Sequence, residues 1–211
     1  VTSRTYRQSS FAAPALQKRD PDNQLFARQS RYRLPAEMVR DNALAVGGLL
    51  NREIGGASAK PYQPPGYYRH LNFPTRKYQQ HTDARQYRRG VYVHWQRQFL
   101  HPMLKAMDAP SREECTARRP RSNTPIAAMV LLNDPTFVDA AHALKKRIVA
   151  GPRGDASDDE RIDFAFRIVL SRSPEPEEAA IVKQMLASGG QDPWLGVARA
   201  LLNLGETNTR S

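Results

Sequence analysis

Among its 211 residues the chain has one cysteine, Cys115. A lone thiol excludes an intrachain disulfide, a Cys-x-x-Cys-His haem attachment and any multi-cysteine zinc site, and it leaves the redox compartment open. Long apolar runs are absent too. The longest, Ile126 to Leu132, has seven residues, far below the roughly 20 that cross a bilayer. The segment starts at Val1, and Thr2-Ser-Arg-Thr-Tyr-Arg-Gln-Ser-Ser10 has no apolar stretch of the kind a signal peptide needs. No Gly-x-Gly-x-x-Gly, phosphate loop or Gly-x-Ser-x-Gly elbow occurs, so nothing marks a dehydrogenase, an ATPase or a serine hydrolase. The histidines, His70, His81, His94, His101 and His142, are spaced by 11, 13, 7 and 41 residues. None of these resembles the i, i+3 or i, i+4 spacing that places two metal ligands side by side on one helix face. No Asn-x-Ser/Thr acceptor is present.

Positive charge is what the chain has in excess: 32 Lys+Arg against 21 Asp+Glu, a net of +11. The excess is confined to residues 1–122, with 22 basic and 9 acidic side chains, whereas residues 123–211 hold 10 and 12. Arginine supplies 25 of the 32 cations. A planar guanidinium is better suited than an ammonium to bidentate pairing with carboxylate, phosphate or sulfate. The basic half is therefore expected to meet something anionic and the near-neutral half to pack. Nucleic acid is the disfavoured anion. No helix-turn-helix, RNA-recognition or zinc module is visible, and Tyr62, Tyr67, Tyr68 and Tyr78 are interleaved with proline rather than set out on strands.

The expected fold is mainly α: a helical bundle in residues 123–211 and long irregular Pro/Gly/Tyr-rich loops in the basic half, the whole forming one domain over 1–211. In the basic half, a short helix is expected around Asn23 to Ser30. A longer one is expected over about 36–52, where Pro35 and Glu37 open it and Met38, Ala45, Val46, Leu49 and Leu50 keep helical spacing. Gly47-Gly48 weakens its middle. Residues 55–86, including Asn72-Phe-Pro-Thr, show no period and read as a functional loop or insertion. Val91, Trp95 and Phe99 predict a helix that Pro102 stops. In the second half each start carries a cap followed by proline: Thr124-Pro125, Asp134-Pro135, Ser173-Pro174 and Asp192-Pro193. Ser157 with Glu160 forms a capping box. Five helices follow between about 125 and 204.

The acids at Asp158-Asp159-Glu160 and at Glu175, Glu177 and Glu178 fall in first helical turns, where they offset the helix dipole, and make poor acid/base candidates. Cys115 stands beside Glu113 and Glu114, which oppose a reactive thiolate, and reads as a structural or bystander thiol. The densest polar stretch runs from Asp108 to Thr124-Pro125. Its Arg118, Arg119 and Arg121 either face an anion near a helix start or pair with Asp108, Glu113 and Glu114.

Several stretches together resemble a bacterial family typical of planctomycetes and verrucomicrobia, a domain of unknown function found in cytochrome-associated proteins. They are Thr2 to Ser10, Asp20-Pro-Asp-Asn23, Arg33-Leu-Pro-Ala-Glu37-Met-Val-Arg40-Asp41, Gly55-Gly56, Arg88-Arg89-Gly-Val-Tyr92, Asp108-Ala-Pro-Ser-Arg-Glu113, Arg118-Arg119, Asn123-Thr-Pro125, Leu131-Leu-Asn133-Asp134 and Leu201-Leu-Asn203. The chain departs from that pattern at Met107, where phenylalanine is frequent, at Ala127, where glutamine is, and at Gly47-Gly48, where Ser-Gly is usual. The resemblance implies an extracytoplasmic protein, periplasmic or at the cell surface, of which this chain is a C-terminal part. It also implies haem on a separate domain or a cytochrome-c-type partner, and no cofactor in this chain. The function it implies is an interaction or ligand-binding domain, with Arg40, Asp108, Arg118, Arg119, Asn123 and Asn133 around a polar pocket. The alternatives are an enzyme acting on an anionic or sulfated polysaccharide and electrostatic binding of a polyanion or nucleic acid.

Overall fold

Proline, a capping side chain or both begin most of the helices, and the core forms where their apolar faces meet. The computed structural model describes residues 2–4, 6–70, 77–96 and 99–210. Among these lie nine α-helices: α1 (Pro14–Arg19), α2 (Ala36–Gly47), α3 (Pro102–Ala106), α4 (Pro125–Asn133), α5 (Pro135–Ala150), α6 (Asp158–Leu170), α7 (Pro176–Ala187), α8 (Pro193–Asn203) and α9 (Gly205–Asn208). Two short strands, β1 (Tyr32–Arg33) and β2 (Thr209–Arg210), pair antiparallel across a long sequence separation. The fold is mainly α, as expected from the caps.

The caps work as their sequence positions imply. Thr124 accepts the N–H of Ala127, Asp134 that of Thr136 and Asp192 that of Leu195, each ahead of a proline in the first turn. Ser157 and Glu160 exchange both bonds of a capping box. The start expected at Ser173-Pro174 moves two residues on. Glu175 and Glu178 form the capping box of α7, and the Ser173 hydroxyl takes a bond from Arg167 instead.

α5 is the central helix. It packs against both α2 and α8, and α6 and α7, which also pack on α8, complete the bundle. Val39, Leu44, Leu104, Phe137, Leu144, Ile148, Ile162, Phe166 and Leu201 belong to one core cluster, so both halves of the sequence contribute to it. The helix expected over 36–52 stops at Gly47. Gly48 takes φ 80° as a left-handed cap, and a Cβ on Gly47 would lie 2.9 Å from the carbonyl oxygen of Ala140. The two glycines thus end α2 and let it close on α5. The guanidinium of Arg147, in the last turn of α5, donates to the α2 carbonyls of Ala45 and Val46.

Three expectations for the basic half are corrected. No helix covers 23–30: Asp20 accepts the N–H groups of Gln24 and Leu25, which turns the chain there, and α1 lies upstream. The described part of 91–99 is not helical beyond a 3-10 turn over Gly90–Tyr92, because Ala59 bridges to Val93 and draws the chain into extended pairing. Arg97 and Gln98 lie outside the described residues. Pro102 starts α3 rather than stopping a helix.

The described parts of 55–86 are fixed by side chains rather than by a period. Tyr68 meets Tyr67, Tyr78 and Phe99 with ring centroids 5.7 to 6.0 Å apart. Tyr78 donates to the carbonyl of Pro61 at 2.6 Å and Tyr67 to that of Leu100 at 2.9 Å. Asn72-Phe-Pro-Thr lies outside the described residues.

Candidate anion-binding groove

Ser122 is the fixed point of the site. Asp108, just after α3, adopts φ 64°, a left-handed conformation that aspartate tolerates better than most residues. Its carboxylate accepts both the N–H of Ser122 at 2.7 Å and the Ser122 hydroxyl at 2.8 Å. From the other side Arg33, on β1, donates to the Ser122 carbonyl. Held at this point, the strap of residues 117–123 directs Arg121 to β1 and Arg119 to α2. Arg121 stacks 4.5 Å above the Tyr32 ring, and Arg119 pairs with Glu37 of α2 at 2.9 Å.

Upstream of β1 the chain is fastened to itself. The buried Asp20 carboxyl is held below its ordinary range by the N–H of Leu25 first, and by that of Gln24 and the charge of Arg28. Arg28 donates to the carbonyls of Asp20 and Pro21, and the Asn23 amide donates to that of Arg28. Three cavities adjoin along this surface. One of about 530 Å³ lies between residues 10–12 and 28–31, and Arg31 on its border also lines a second of about 510 Å³. Arg121 then joins the second to a third of about 250 Å³ beside Asp108. Together the three sections of this groove are lined by Arg28, Arg31, Arg33, Arg118, Arg119 and Arg121 and by two carboxylates, Asp22 and Asp108.

The structure brings together some of the residues singled out from sequence and separates others. Asp108, Arg118 and Arg119 line the smallest section, and Asn123 lines the middle one. Asn133 stands on the exposed side of α4 and donates one turn back to the Met129 carbonyl. Arg40 is in the interior, 0% exposed. It donates to the carbonyls of Arg88 and Gln86 at 2.6 and 2.5 Å and lies 3.6 Å from Asp41. The internal pairing expected for the strap arginines takes a different form: the carboxylate on Arg119 belongs to Glu37, and the partner of Arg121 is a ring. Arg31, Arg33, Tyr32 and the C-terminal Asn203, Asn208 and Thr209 also line the middle section. The arginine spacing in Arg28-Gln-Ser-Arg31-Tyr-Arg33 is the signal that could have found the first of these; nothing in the sequence marks the last three.

The interior around Arg40 carries further shifted groups. Burial pushes the Arg40 guanidinium down and the carboxyls of Asp41 and Asp134 up. Burial first, with the charge of Arg40 adding to it, holds the His101 imidazole at about 4. Asp41 takes the N–H of Gly90 at 2.6 Å and Asp134 caps α5, so both raised carboxyls hold backbone and neither reaches the groove. Among the described residues no three His, Cys, Asp or Glu side chains gather as metal ligands. No helix among them is long and apolar enough to cross a membrane.

No curated protein and no solved structure matches this chain. A family model does, over residues 1–186, ending within α7. The chain therefore belongs to the PSD1 family, described as protein of unknown function (DUF1553).

Proposed function

We propose that this chain is an interaction domain that holds an anionic partner in the arginine groove, within a larger extracytoplasmic, cytochrome-linked assembly. One observation carries the reading: three adjoining cavities share Arg31 and Arg121 and are lined by six arginines and two carboxylates. One of those carboxylates, Asp108, is already engaged by Ser122. Arg28 and Arg33 are engaged by carbonyls and Arg119 by Glu37. Arg31 and Arg118 make no ion pair among the described residues. They are the cations left for a ligand, with Arg121 held in place by Tyr32. The placement in a cytochrome-linked assembly rests on the sequence resemblance alone, with haem on another domain or partner.

Affinity for immobilised heparin, read as the salt needed for elution, tests this reading. Arg31→Glu with Arg121→Glu should elute at much lower salt than Lys146→Glu, which changes the charge of an exposed lysine on α5. Equal shifts per charge would mean that net charge alone binds and would overturn the groove.

A further inference from the structure

The most apolar stretch of the sequence is spent on a surface helix. Ile126 to Leu132 is uninterrupted by any polar residue, yet Ala127 is the one buried residue of α4. Ile126 and Met129 are 66% and 60% exposed, and Leu132 is 38% exposed. These three recur every third residue, so they share one side of the helix. At about 100° per residue, Ala128 lies next to Leu132 around the helix, and Ala128 and Leu131 line the middle groove section together with Arg31, Arg33 and Arg121. The apolar side of α4 therefore begins at the groove's edge and continues away from it. A cationic cleft and an apolar helix face form one continuous surface.

We infer that this surface docks an acidic amphipathic polypeptide segment, its apolar side chains against Ile126, Met129 and Leu132 and its carboxylates on Arg31 and Arg121. The inference rests on the groove reading above and names its partner. A sulfated or uronic glycan satisfies the arginines but leaves the α4 side chains in water, whereas an amphipathic segment removes both from solvent at once. Charge complementarity also selects against a second copy meeting face to face, since each carries +11 and the same arginines.

The test compares three probes on the intact chain by fluorescence anisotropy. They are a synthetic peptide of about 18 residues with leucines at helical spacing and glutamates between, a scrambled peptide of the same composition, and heparin. The amphipathic peptide is expected to bind at least about tenfold tighter than the scrambled one. Ile126→Ser with Met129→Ser, both at exposed positions, should abolish that preference and leave heparin binding unchanged. Equal binding of the two peptides, with heparin still bound, overturns the polypeptide partner and leaves the anion groove standing. Binding of none of the three overturns the groove and this inference with it. A concentration-dependent dimer in sedimentation, lost in Met129→Ser, would assign the face to a second copy and overturn the inference as well.

Discussion

Arg40 donates to the backbone carbonyl of Arg88 at 2.6 Å, so one buried arginine fixes the peptide that carries another. Arg88 in turn sends its guanidinium to the carbonyls of Gly55 and Ala57 and lies 4.2 Å over the Tyr92 ring. The Tyr92 hydroxyl accepts the N–H of Gly55. Loop carbonyls that no strand or helix satisfies are thus taken up by guanidinium forks, each with several donors in one plane. Replacing Arg40 with methionine keeps the volume and removes the donors, leaving two carbonyls short of partners. The expected cost is about 3 kcal/mol, seen as a melting point lower by about 10 °C. Arg40→Lys should recover little, because one ammonium cannot match the fork that reaches both carbonyls. A lysine variant as stable as the original chain would show that charge, and not geometry, holds this junction.

The same chain of contacts explains what the sequence makes legible. Thr124, Asp134, Ser157 and Asp192 act within three residues of themselves, so their helices can be read from local spacing. Arg40 to Arg88 spans 48 residues and Arg147 to Val46 spans 101. Such bonds leave no periodic trace, and the segments they fasten read as irregular. The arginine excess pointed to anions, yet Arg28, Arg33, Arg40, Arg88 and Arg147 all donate to carbonyl oxygens. Several stretches that carry the family resemblance meet in this way, Gly55 with Arg88 and Tyr92, and Glu37 with Arg119. Asp108 and Arg118 were legible because they sit in one dense polar stretch. The lining contributed jointly by β1 and the segment after α8 comes from residues more than 170 apart in sequence and is not legible from local spacing.

His101 makes stability depend on acidity. Its Nε2 shares a hydrogen bond with the Tyr62 carbonyl at 2.8 Å, while Nδ1 is buried without a partner. The imidazole is held at about 4 in the folded chain, against an ordinary 6.5. The unfolded chain therefore takes up the proton first. This stabilising contribution is complete above pH 6.5 and declines as the pH falls toward 4, by about 3 kcal/mol over the window. Asp41 and Asp134, with carboxyls raised by burial, act in the opposite sense, so the difference between two proteins isolates the histidine. Urea unfolding at pH 7 and pH 4.5 should show a smaller acid loss for His101→Gln than for the original chain. Equal losses would mean that His101 is protonated in the folded state.

Asp108 couples stability to the groove. Asp108→Ala leaves the Ser122 N–H and hydroxyl without their acceptor and puts alanine at a positive φ, for an expected cost of about 2 kcal/mol. Asp108→Asn keeps an acceptor oxygen and a residue at ease in that conformation, and should lose less than half as much. Limited trypsin digestion gives a second readout. Cleavage after Arg118 and Arg121 should quicken in the alanine variant and not in the asparagine one. Equal rates would place the anchoring of the strap with Arg33 instead.

The pair between Arg119 and Glu37 decides whether that arginine is a scaffold or a ligand contact. At 2.9 Å, with the Arg119 side chain 40% exposed, it is an ion pair in high dielectric and contributes under about 1 kcal/mol. An incoming anion can therefore compete for the guanidinium. Glu37→Gln removes the competitor and one negative charge from the groove's rim while leaving α2 its helical residue. If Arg119 reaches the ligand, heparin affinity should rise about twofold in low salt, with the gain vanishing at high salt where exposed charges are screened. If Arg119 serves only to hold the strap against α2, the same substitution should loosen residues 117–121 to trypsin and leave heparin affinity where it was. The two readouts move separately, so one variant distinguishes the roles.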